Sequence, residues 1–176
     1  MRDFDGNFEQ LAAMMQASWI ENREQPLLYS ADFLRSMFEQ PGSAFALAPA
    51  LYEGGDLIAF GAAFPRRVHY AGCEFLLALD SFITVAKEHK GKRLGGKIWS
   101  EIAARCERQG FDGLITFCVE GDRMNEILPR SSRDSGLRTE RIFSVQYLAR
   151  PVNAAPAAIA RHVDADAFIE CSEGMP

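Results

Sequence analysis

The residues best suited to bind a charged ligand lie in a short segment near the middle of the sequence, between an apolar run and a helical pattern. The segment combines three basic residues with three glycines: Lys90, Lys92, Arg93, Gly91, Gly95 and Gly96. The first N–H groups of a helix have no intrahelical partner, and the helix dipole adds partial positive charge at that end. Glycine lets an anion approach the backbone closely. The pattern therefore predicts a phosphate-binding loop at the start of a helix.

The spacing of these glycines differs from that of two common phosphate motifs. The dinucleotide fingerprint requires G-x-G-x-x-G, and the P-loop requires G-x-x-x-x-G-K-[ST]. Here the sequence reads Gly91-x-x-x-Gly95-Gly96, which fits neither. A simpler alternative is a solvated turn with incidental lysines. The order of long strand, basic glycine loop and helix favours the phosphate site.

A carboxylate is the second candidate for chemistry. Asp80 lies within the apolar run "LLALDSFITV", where burial would raise its pKa towards the range in which it can act as a general base. The alternative is that Asp80 accepts hydrogen bonds at a strand bulge, and the sequence leaves both open. Glu74, near the start of the same run, is a second candidate base and is expected to be more solvated.

The composition excludes several classes of function. The 176 residues include 19 Lys and Arg against 24 Asp and Glu, a balance that does not favour a nucleic-acid-binding surface. The scattered cysteines and histidines predict no metal site. The first residues have no signal-peptide core, and no apolar run approaches the length of a membrane span. We therefore expect a soluble cytoplasmic protein with reduced cysteines and with no nucleic-acid or membrane partner.

The spacing of apolar residues predicts the elements that position these candidates. Helices are predicted over 7–22, over 31–40 with Ser30 as cap, from the loop to Gly110, and over 123–135 with an interruption near Pro129. Strands are predicted at a short N-terminal stretch and over 44–53, 57–64, 73–85, 113–119 and 141–149. This order indicates an α/β or α+β fold, in which a sheet carries helices on both faces.

The composition changes after Arg150, where the sequence "PVNAAPAAIA" is rich in proline and alanine. We predict one domain over 1–150 and a C-terminal linker or arm over 151–176. Phe168 and Ile169 in this arm would gain by packing on a surface, either of their own domain or of a neighbouring subunit. A homodimer is therefore one interpretation.

The loop and its flanking elements resemble the acyl-CoA-binding motif of the GNAT superfamily of acetyl-CoA-dependent N-acetyltransferases. The family pattern is Arg/Gln-x-x-Gly-x-Gly/Ala after a Val, and this sequence has Lys90-Gly91-Lys92-Arg93-Leu94-Gly95 with Val85 upstream. Lys90 keeps the charge of the first position, whereas Arg93 replaces the usual first glycine. The order of elements also resembles that of the family over most of residues 1–150, and "SGLR", 135–138, resembles its Gly-Phe turn.

The resemblance implies a mixed, mostly antiparallel sheet in which two neighbouring strands splay apart to form the acyl-CoA cleft. The backbone of Phe82, Ile83 and Val85 would hold the pantetheine like an added strand. An N–H near Phe82 and Ile83 would also polarise the thioester carbonyl. The loop Lys90–Gly96 would hold the pyrophosphate. Asn125 lies where the family often has an Asn that contacts the pantetheine.

The implied reaction moves an acetyl group from acetyl-CoA to a primary amine of a small molecule or peptide by direct attack. Asp80, or Glu74 as the weaker candidate, would take the proton of the amine. The family often protonates the thiolate with a Tyr where this sequence has Ser132, so the acid is unassigned. Tyr147 is another phenol, interpreted as a packed strand residue.

Three alternatives stay open at this point. The chain could be a non-catalytic acyl-CoA-binding module, an enzyme of the same fold with another acyl group or acceptor, or a nucleotide-binding α/β protein. The acceptor is not identified by the sequence. Four aromatic residues are interpreted as core packing, with a pocket for an apolar or aromatic amine as the alternative: Trp19, Phe33, Phe38 and Phe143.

Overall fold

A computed structural model of the chain describes residues 1–19, 29–40, 47–70, 72–118, 124–134 and 136–139. These residues form five strands and four α-helices. The strands are β1 (Arg2–Asp3), β2 (Pro49–Glu53), β3 (Asp56–Tyr70), β4 (Cys73–Val85) and β5 (Gly113–Thr116). The helices are α1 (Phe8–Trp19), α2 (Ala31–Glu39), α3 (Leu94–Arg108) and α4 (Met124–Asp134), with a 3-10 turn at Lys87–His89 before α3.

The strands form one mixed sheet in the order β1-β2-β3-β4-β5. The first three neighbouring pairs are antiparallel, and only β4 and β5 run parallel. This confirms the predicted fold class, and β4 has the predicted bounds. Strand β5 was expected to reach residue 119 but ends at Thr116. None of the described helices has the length and hydropathy needed to cross a membrane.

Two predicted helices show how local sequence sets their form. Helix α2 begins where expected, because the Ser30 side chain accepts a hydrogen bond from the Phe33 N–H at 3.1 Å. The predicted interruption of α4 is wrong, since the helix continues through Pro129. A proline removes one backbone hydrogen bond from a helix. One turn later the Ser132 hydroxyl donates to the Leu128 carbonyl at 2.8 Å.

Two hydrophobic clusters pack on opposite faces of the sheet. Helices α1 and α2 cover one face, with a cluster that includes Phe8, Leu11, Met15, Leu34, Phe38 and Phe60. Helix α3 covers the other face, where Ile98, Ile102 and Cys106 pack with Ala59, Ala63 and Ala78. The predicted strand 141–149 and the predicted arm 151–176 lie outside the described residues, so the division of the chain at residue 150 stays a prediction.

A bulge in the β3–β4 ladder changes which side chains face each helix layer. Phe82 and Ile83 of β4 lie opposite a single residue of β3, Gly61. Before the bulge, Ala78 and Asp80 face α3. Beyond it, Ile83 packs on the α3 side and Phe82 on the side of α1 and α2. The alternation of the strand is therefore shifted by one residue at this point.

Candidate active site

Strands β4 and β5 separate part-way along the sheet. They pair from Leu77–Gly113 to Asp80–Thr116, after which β5 ends and β4 continues to Val85. Within the described part of the chain, no strand pairs with this edge of β4 beyond Asp80. Such an edge presents backbone N–H and C=O groups to a ligand that can add as a strand.

The direction of the backbone groups at the end of β4 follows from its pairing with β3. The Ala86 N–H donates to the Ile58 carbonyl at 2.9 Å. In an antiparallel ladder, successive residues direct their backbone groups to opposite sides. The N–H and C=O of Val85 therefore point away from β3, towards the open edge. The Val85 carbonyl accepts a hydrogen bond from the Ser18 hydroxyl at 3.0 Å.

The bulge places an unusual backbone conformation beside this open edge. Phe82 has a φ of 60°, a left-handed conformation that is uncommon for a bulky residue. The Thr84 hydroxyl donates to the Phe82 carbonyl at 3.0 Å and holds the turn. Residues in such conformations concentrate at ligand-binding sites. The bulge lies at Phe82 and Ile83, where the family resemblance implies contact with the thioester.

The N-terminus of α3 lies beyond the end of β4 and has the features of an anion site. Its N-cap residue, Arg93, has a φ of 59° and makes no side-chain capping hydrogen bond. The first intrahelical bond runs from the Lys97 N–H to the Arg93 carbonyl at 3.2 Å. The N–H groups of the preceding helical residues are thus left to bind a ligand. The left-handed φ of Arg93 also explains why glycine is usual at this position of the motif.

The glycines in the first turn of α3 are not required by the packing of the chain itself. A Cβ atom at Gly95 would lie 3.7 Å from Val85 and 3.8 Å from Ile83, and one at Gly96 would lie 3.8 Å from Ser131. These are ordinary contact distances, so alanine would fit at both positions. Glycine keeps the backbone there accessible to a ligand. The contact with Ser131 also places α4 beside this end of α3.

Two of the three basic side chains of the loop bind within the fold. Lys90 donates to the Ser18 carbonyl, near the C-terminus of α1, at 3.0 Å, where a cation is favourable. Lys92 Nζ lies 3.2 Å from His89 Nδ1. Arg93 is exposed. Lys90 therefore anchors the loop to α1, and Arg93 is the basic side chain that projects from the start of α3.

Asp80 lies at the last paired position of β4 and β5, on the face covered by α3. Its side chain is 7% exposed, and Thr116 Oγ1 donates to Asp80 Oδ2 at 3.2 Å. Burial raises the pKa of Asp80 to about 7, against the lowering effects of Thr116, Trp99 and the Ser81 N–H. Trp99 Nε1 and Asp80 Oδ1 are both buried without a hydrogen-bond partner among the described residues. We therefore regard the effect of Trp99 on this carboxyl as electrostatic.

The remaining predicted site residues lie in different parts of the fold. Glu74 is about half exposed and pairs with Arg67 at 2.6 Å, near the start of β4. Asp80 lies six positions further along β4, which corresponds to about 20 Å along a strand. Asn125 is exposed near the start of α4. Ser132 is 2% exposed. The structure thus brings Asp80 and the bulge together and leaves Glu74 at a distance.

Sequence reasoning named Phe33 but missed a set of aromatic contacts beside the bulge, and its interpretation of Phe33 as core packing is wrong, because this residue is 43% exposed. Phe33 of α2 stacks on Tyr29 with 5.3 Å between ring centroids, and Tyr29 meets Phe82 edge-on at 5.5 Å. We call Phe33, Tyr29 and Phe82 the aromatic row. Phe38 lies in the core as predicted, whereas Phe143 and the side chain of Trp19 lie outside the described residues. An aromatic residue just before a helix cap often packs on the first turn, which was the available signal for Tyr29.

The amino-acid sequence matches a family model described as the acetyltransferase (GNAT) family over residues 8–127. This match spans more than half of the chain and includes α1 to α3, the bulge and the basic loop. A comparison with curated proteins finds no significant match.

Solved structures with the same fold include several acyltransferases. Glucosamine-6-phosphate N-acetyltransferase from Arabidopsis thaliana aligns with a TM-score of 0.58 and 15% identity, over 84% of this chain and 97% of that one. An aminoglycoside acetyltransferase from an uncultured soil metagenomic sample gives 0.60 and 13%, over 85% and 95%. N-myristoyltransferase from Saccharomyces cerevisiae with bound myristoyl-CoA gives 0.58 and 20%, over 65% of this chain but 28% of that one. These low identities establish a shared fold.

Proposed function

The chain belongs to the acetyltransferase (GNAT) family, and we propose from this that it transfers an acetyl group from acetyl-CoA to a primary amine by direct attack of the amine. The observation that supports this most is the separation of β4 from β5 beside the N-terminus of α3. Acetyl-CoA supplies the activated acetyl group as a thioester. The chain supplies an open strand edge and a bulge in β4, followed by an anion site at the start of α3.

We assign the ligand contacts by the chemistry of each region. The open edge of β4, at Phe82, Ile83 and Val85, suits the amide groups of pantetheine, because both partners pair through backbone-like hydrogen bonds. The loop Lys90–Gly96 and its free helix N–H groups suit the pyrophosphate. Asn125 is a further candidate contact for the pantetheine.

Asp80 is the proposed base. A protonated amine cannot attack, so the amine must lose a proton, and a group with a pKa near neutrality accepts it efficiently. The carboxyl lies under α3 rather than in open solvent, so the proton would reach it through water at the end of β5. Ser132 is buried and donates to Leu128, so water is proposed as the acid.

The anion site can be tested by calorimetry with CoA. Gly95→Asp would place a carboxylate against the phosphates, and we expect CoA to bind about tenfold more weakly or worse. Gly95→Ala is the matched control for the added Cβ without the charge, because that Cβ makes only ordinary contacts within the chain; it should weaken CoA binding less than Gly95→Asp does. Unchanged affinity in a folded Gly95→Asp protein would remove the loop from the site.

A non-catalytic acyl-CoA-binding module is the second candidate. The observation that favours it is Ser132, a buried hydroxyl at a position where the family often has a phenol. Mass spectrometry after incubation with acetyl-CoA and a panel of amines separates the two functions. An acetylated amine supports the enzyme. CoA binding without transfer to any amine supports the module.

We also propose a cytoplasmic location, which rests on the sequence and on the state of the cysteines. In the part of the chain that the structure describes, Cys73 and Cys106 are not joined in a disulfide, as expected of a reducing compartment. Fractionation of cells that express the protein would test this proposal.

A further inference from the structure

The aromatic row connects the reaction end of the cleft with the protein surface. Phe82 contributes its backbone to the bulge and its ring to the row. Its ring also meets Phe64 edge-on at 6.1 Å, which ties the inner end of the row to the core. At the outer end, Phe33 is 43% exposed. An apolar surface therefore runs outward from the point where the acetyl group would be transferred.

The exposure of Phe33 is not explained by the packing of α2. The apolar side chains that α2 buries in the core are Leu34 and Phe38, which lie on a different side of the helix. A large exposed ring that stacks on a second, partly buried ring offers a face to a further apolar group. Because the aromatic row is continuous with the bulge, we expect the apolar group of a bound acceptor to pack on this ring face.

Among the described residues, the charged side chains on either side of Phe33 in α2, Asp32 and Arg35, form ion pairs. Arg35 binds Asp32 at 2.9 Å and Glu9 at 3.2 Å, all on exposed parts of α1 and α2. A sugar amine or a polycationic amine requires a set of hydrogen-bonding or acidic groups to replace its water. Among the described residues, the row offers ring faces and one phenol instead. This chemistry favours a ligand with an apolar ring.

We propose that the acyl acceptor is an arylalkyl primary amine whose ring packs against Phe33 and Tyr29, with its nitrogen directed towards the bulge at Phe82. This inference rests on the proposed acetyl transfer and adds the chemical class of the acceptor. The amine nitrogen bonds to the acetyl carbon and the C–S bond of the thioester breaks, while the proton lost from nitrogen passes to Asp80 through water and a proton from water converts the departing thiolate into the thiol.

The experiment compares 2-phenylethylamine with n-butylamine, glucosamine 6-phosphate and kanamycin as acceptors. Calorimetry with acetyl-CoA comes first and tests the proposed function separately. We then expect kcat/KM for 2-phenylethylamine to exceed that of each other amine by about tenfold or more, because burying a ring adds apolar contact. Titration of 2-phenylethylamine into the CoA complex gives a second measure that does not require turnover.

Phe33→Ala tests the residue itself. We expect it to raise the KM and the Kd of 2-phenylethylamine about three- to tenfold, to leave n-butylamine almost unaffected, and to leave acetyl-CoA binding unchanged. Tyr70→Ala is the matched control, since Tyr70 is also an exposed aromatic residue but lies at the far end of β3. It should alter none of these values.

Each other outcome overturns the inference in a recognisable way. If acetyl-CoA binds but a sugar or polycationic amine is preferred, the acceptor class is wrong and the acetyl transfer stands. If octanoyl-CoA binds more tightly than acetyl-CoA and Phe33→Ala removes that gain, the row holds the acyl chain. If acetyl-CoA does not bind to the folded protein, the proposed function fails and the acceptor class with it.

Discussion

Asp80 shows how one buried group can link stability to pH. Its carboxyl lies between β4, β5 and α3, with Thr116 as donor and an apolar surround. The same environment raises the pKa of the nearby Cys106 thiol to about 11, through burial first and the charge of Asp80 second. Burial thus disfavours the ionised form of Asp80 in the folded chain, whereas in the unfolded chain this carboxyl is in water and ionises normally.

We predict that Asp80→Asn changes the pH dependence of stability. The pKa of Asp80 is raised to about 7 from 3.8, so the folded state binds more protons than the unfolded state between these values. Stability from this group therefore falls as pH rises through that window. Asn cannot ionise, so Asp80→Asn should gain about 2–3 kcal/mol relative to the parent between pH 5 and pH 8, in urea unfolding.

The exposed Asp56 provides the control for this comparison. Asp56→Asn removes a carboxylate from the protein surface instead of from the interior. The pH–rate profile of Asp80→Asn then decides the catalytic role. Loss of kcat around and above pH 7, where the carboxyl of Asp80 is ionised in the parent, supports Asp80 as the base, and an unchanged profile leaves it a structural residue. If the unfolding free energies of Asp80→Asn and of the parent change with pH in parallel, the raised pKa of Asp80 is contradicted.

The bulge and α3 depend on each other at the scale of elements. Gly61 lies opposite the bulge, and a Cβ atom there would lie 2.5 Å from Ile98 Cγ2 and 3.1 Å from both Ile102 and Ile83. Such a short distance requires Ile98 to move. The absence of a side chain at Gly61 therefore lets α3 pack closely on the sheet and places its N-terminus at the end of β4.

We predict that Gly61→Ala costs about 1–3 kcal/mol in the free energy of unfolding, because overpacking displaces α3. Urea unfolding measures this cost. Leu has no branch at Cβ, so Ile98→Leu removes the methyl group that a Cβ at position 61 would approach. Gly61→Ala should therefore destabilise the Ile98→Leu protein less than it destabilises the parent. Equal destabilisation in both backgrounds would show that the Ile98 contact does not carry the effect.

The sequence predicted the elements better than their relative placement. The family resemblance, the bounds of β4 and the capped start of α2 are confirmed, because each leaves a local or motif-based signal. A strand bulge was named only as an alternative at Asp80, because no regular alternation of polar and apolar residues in β4 marks the shift at Phe82 and Ile83. Asp80 was recognised as a buried carboxylate, but its position under α3 depends on that register. The contact of Tyr29 with Phe82 joins residues far apart in the sequence.

At the scale of the molecule, the two faces of the sheet carry different parts of the site. Helix α3 and its loop provide the anion site and cover Asp80 on one face, whereas α1, α2 and the aromatic row occupy the other. Residues 1–139 form one compact unit by their contacts. The described part of the site lies within this unit, and the C-terminal arm is predicted to lie outside the catalytic domain.

We therefore predict that truncation after Arg150 leaves a folded chain that binds CoA within about twofold of the full chain, as measured by calorimetry. Size-exclusion chromatography of both chains also tests the proposed homodimer, which should be lost with the arm. A truncation after Thr139 additionally removes the predicted strand 141–149 and serves as the comparison. Insolubility of the Arg150 truncation, or loss of its CoA binding, would place the arm in the core.

The hydrogen bonds of the loop between β4 and α3 have a consequence for the thermodynamics of binding. Backbone bonds join His89 to Ala86, Lys90 to Lys87 and Lys92 to His89, and the Lys90 side chain fastens the loop to α1. Ordering a free residue costs about 1–2 kcal/mol. Because this loop is ordered by the chain itself, ligand binding costs the loop little further conformational entropy, and the site is preorganised.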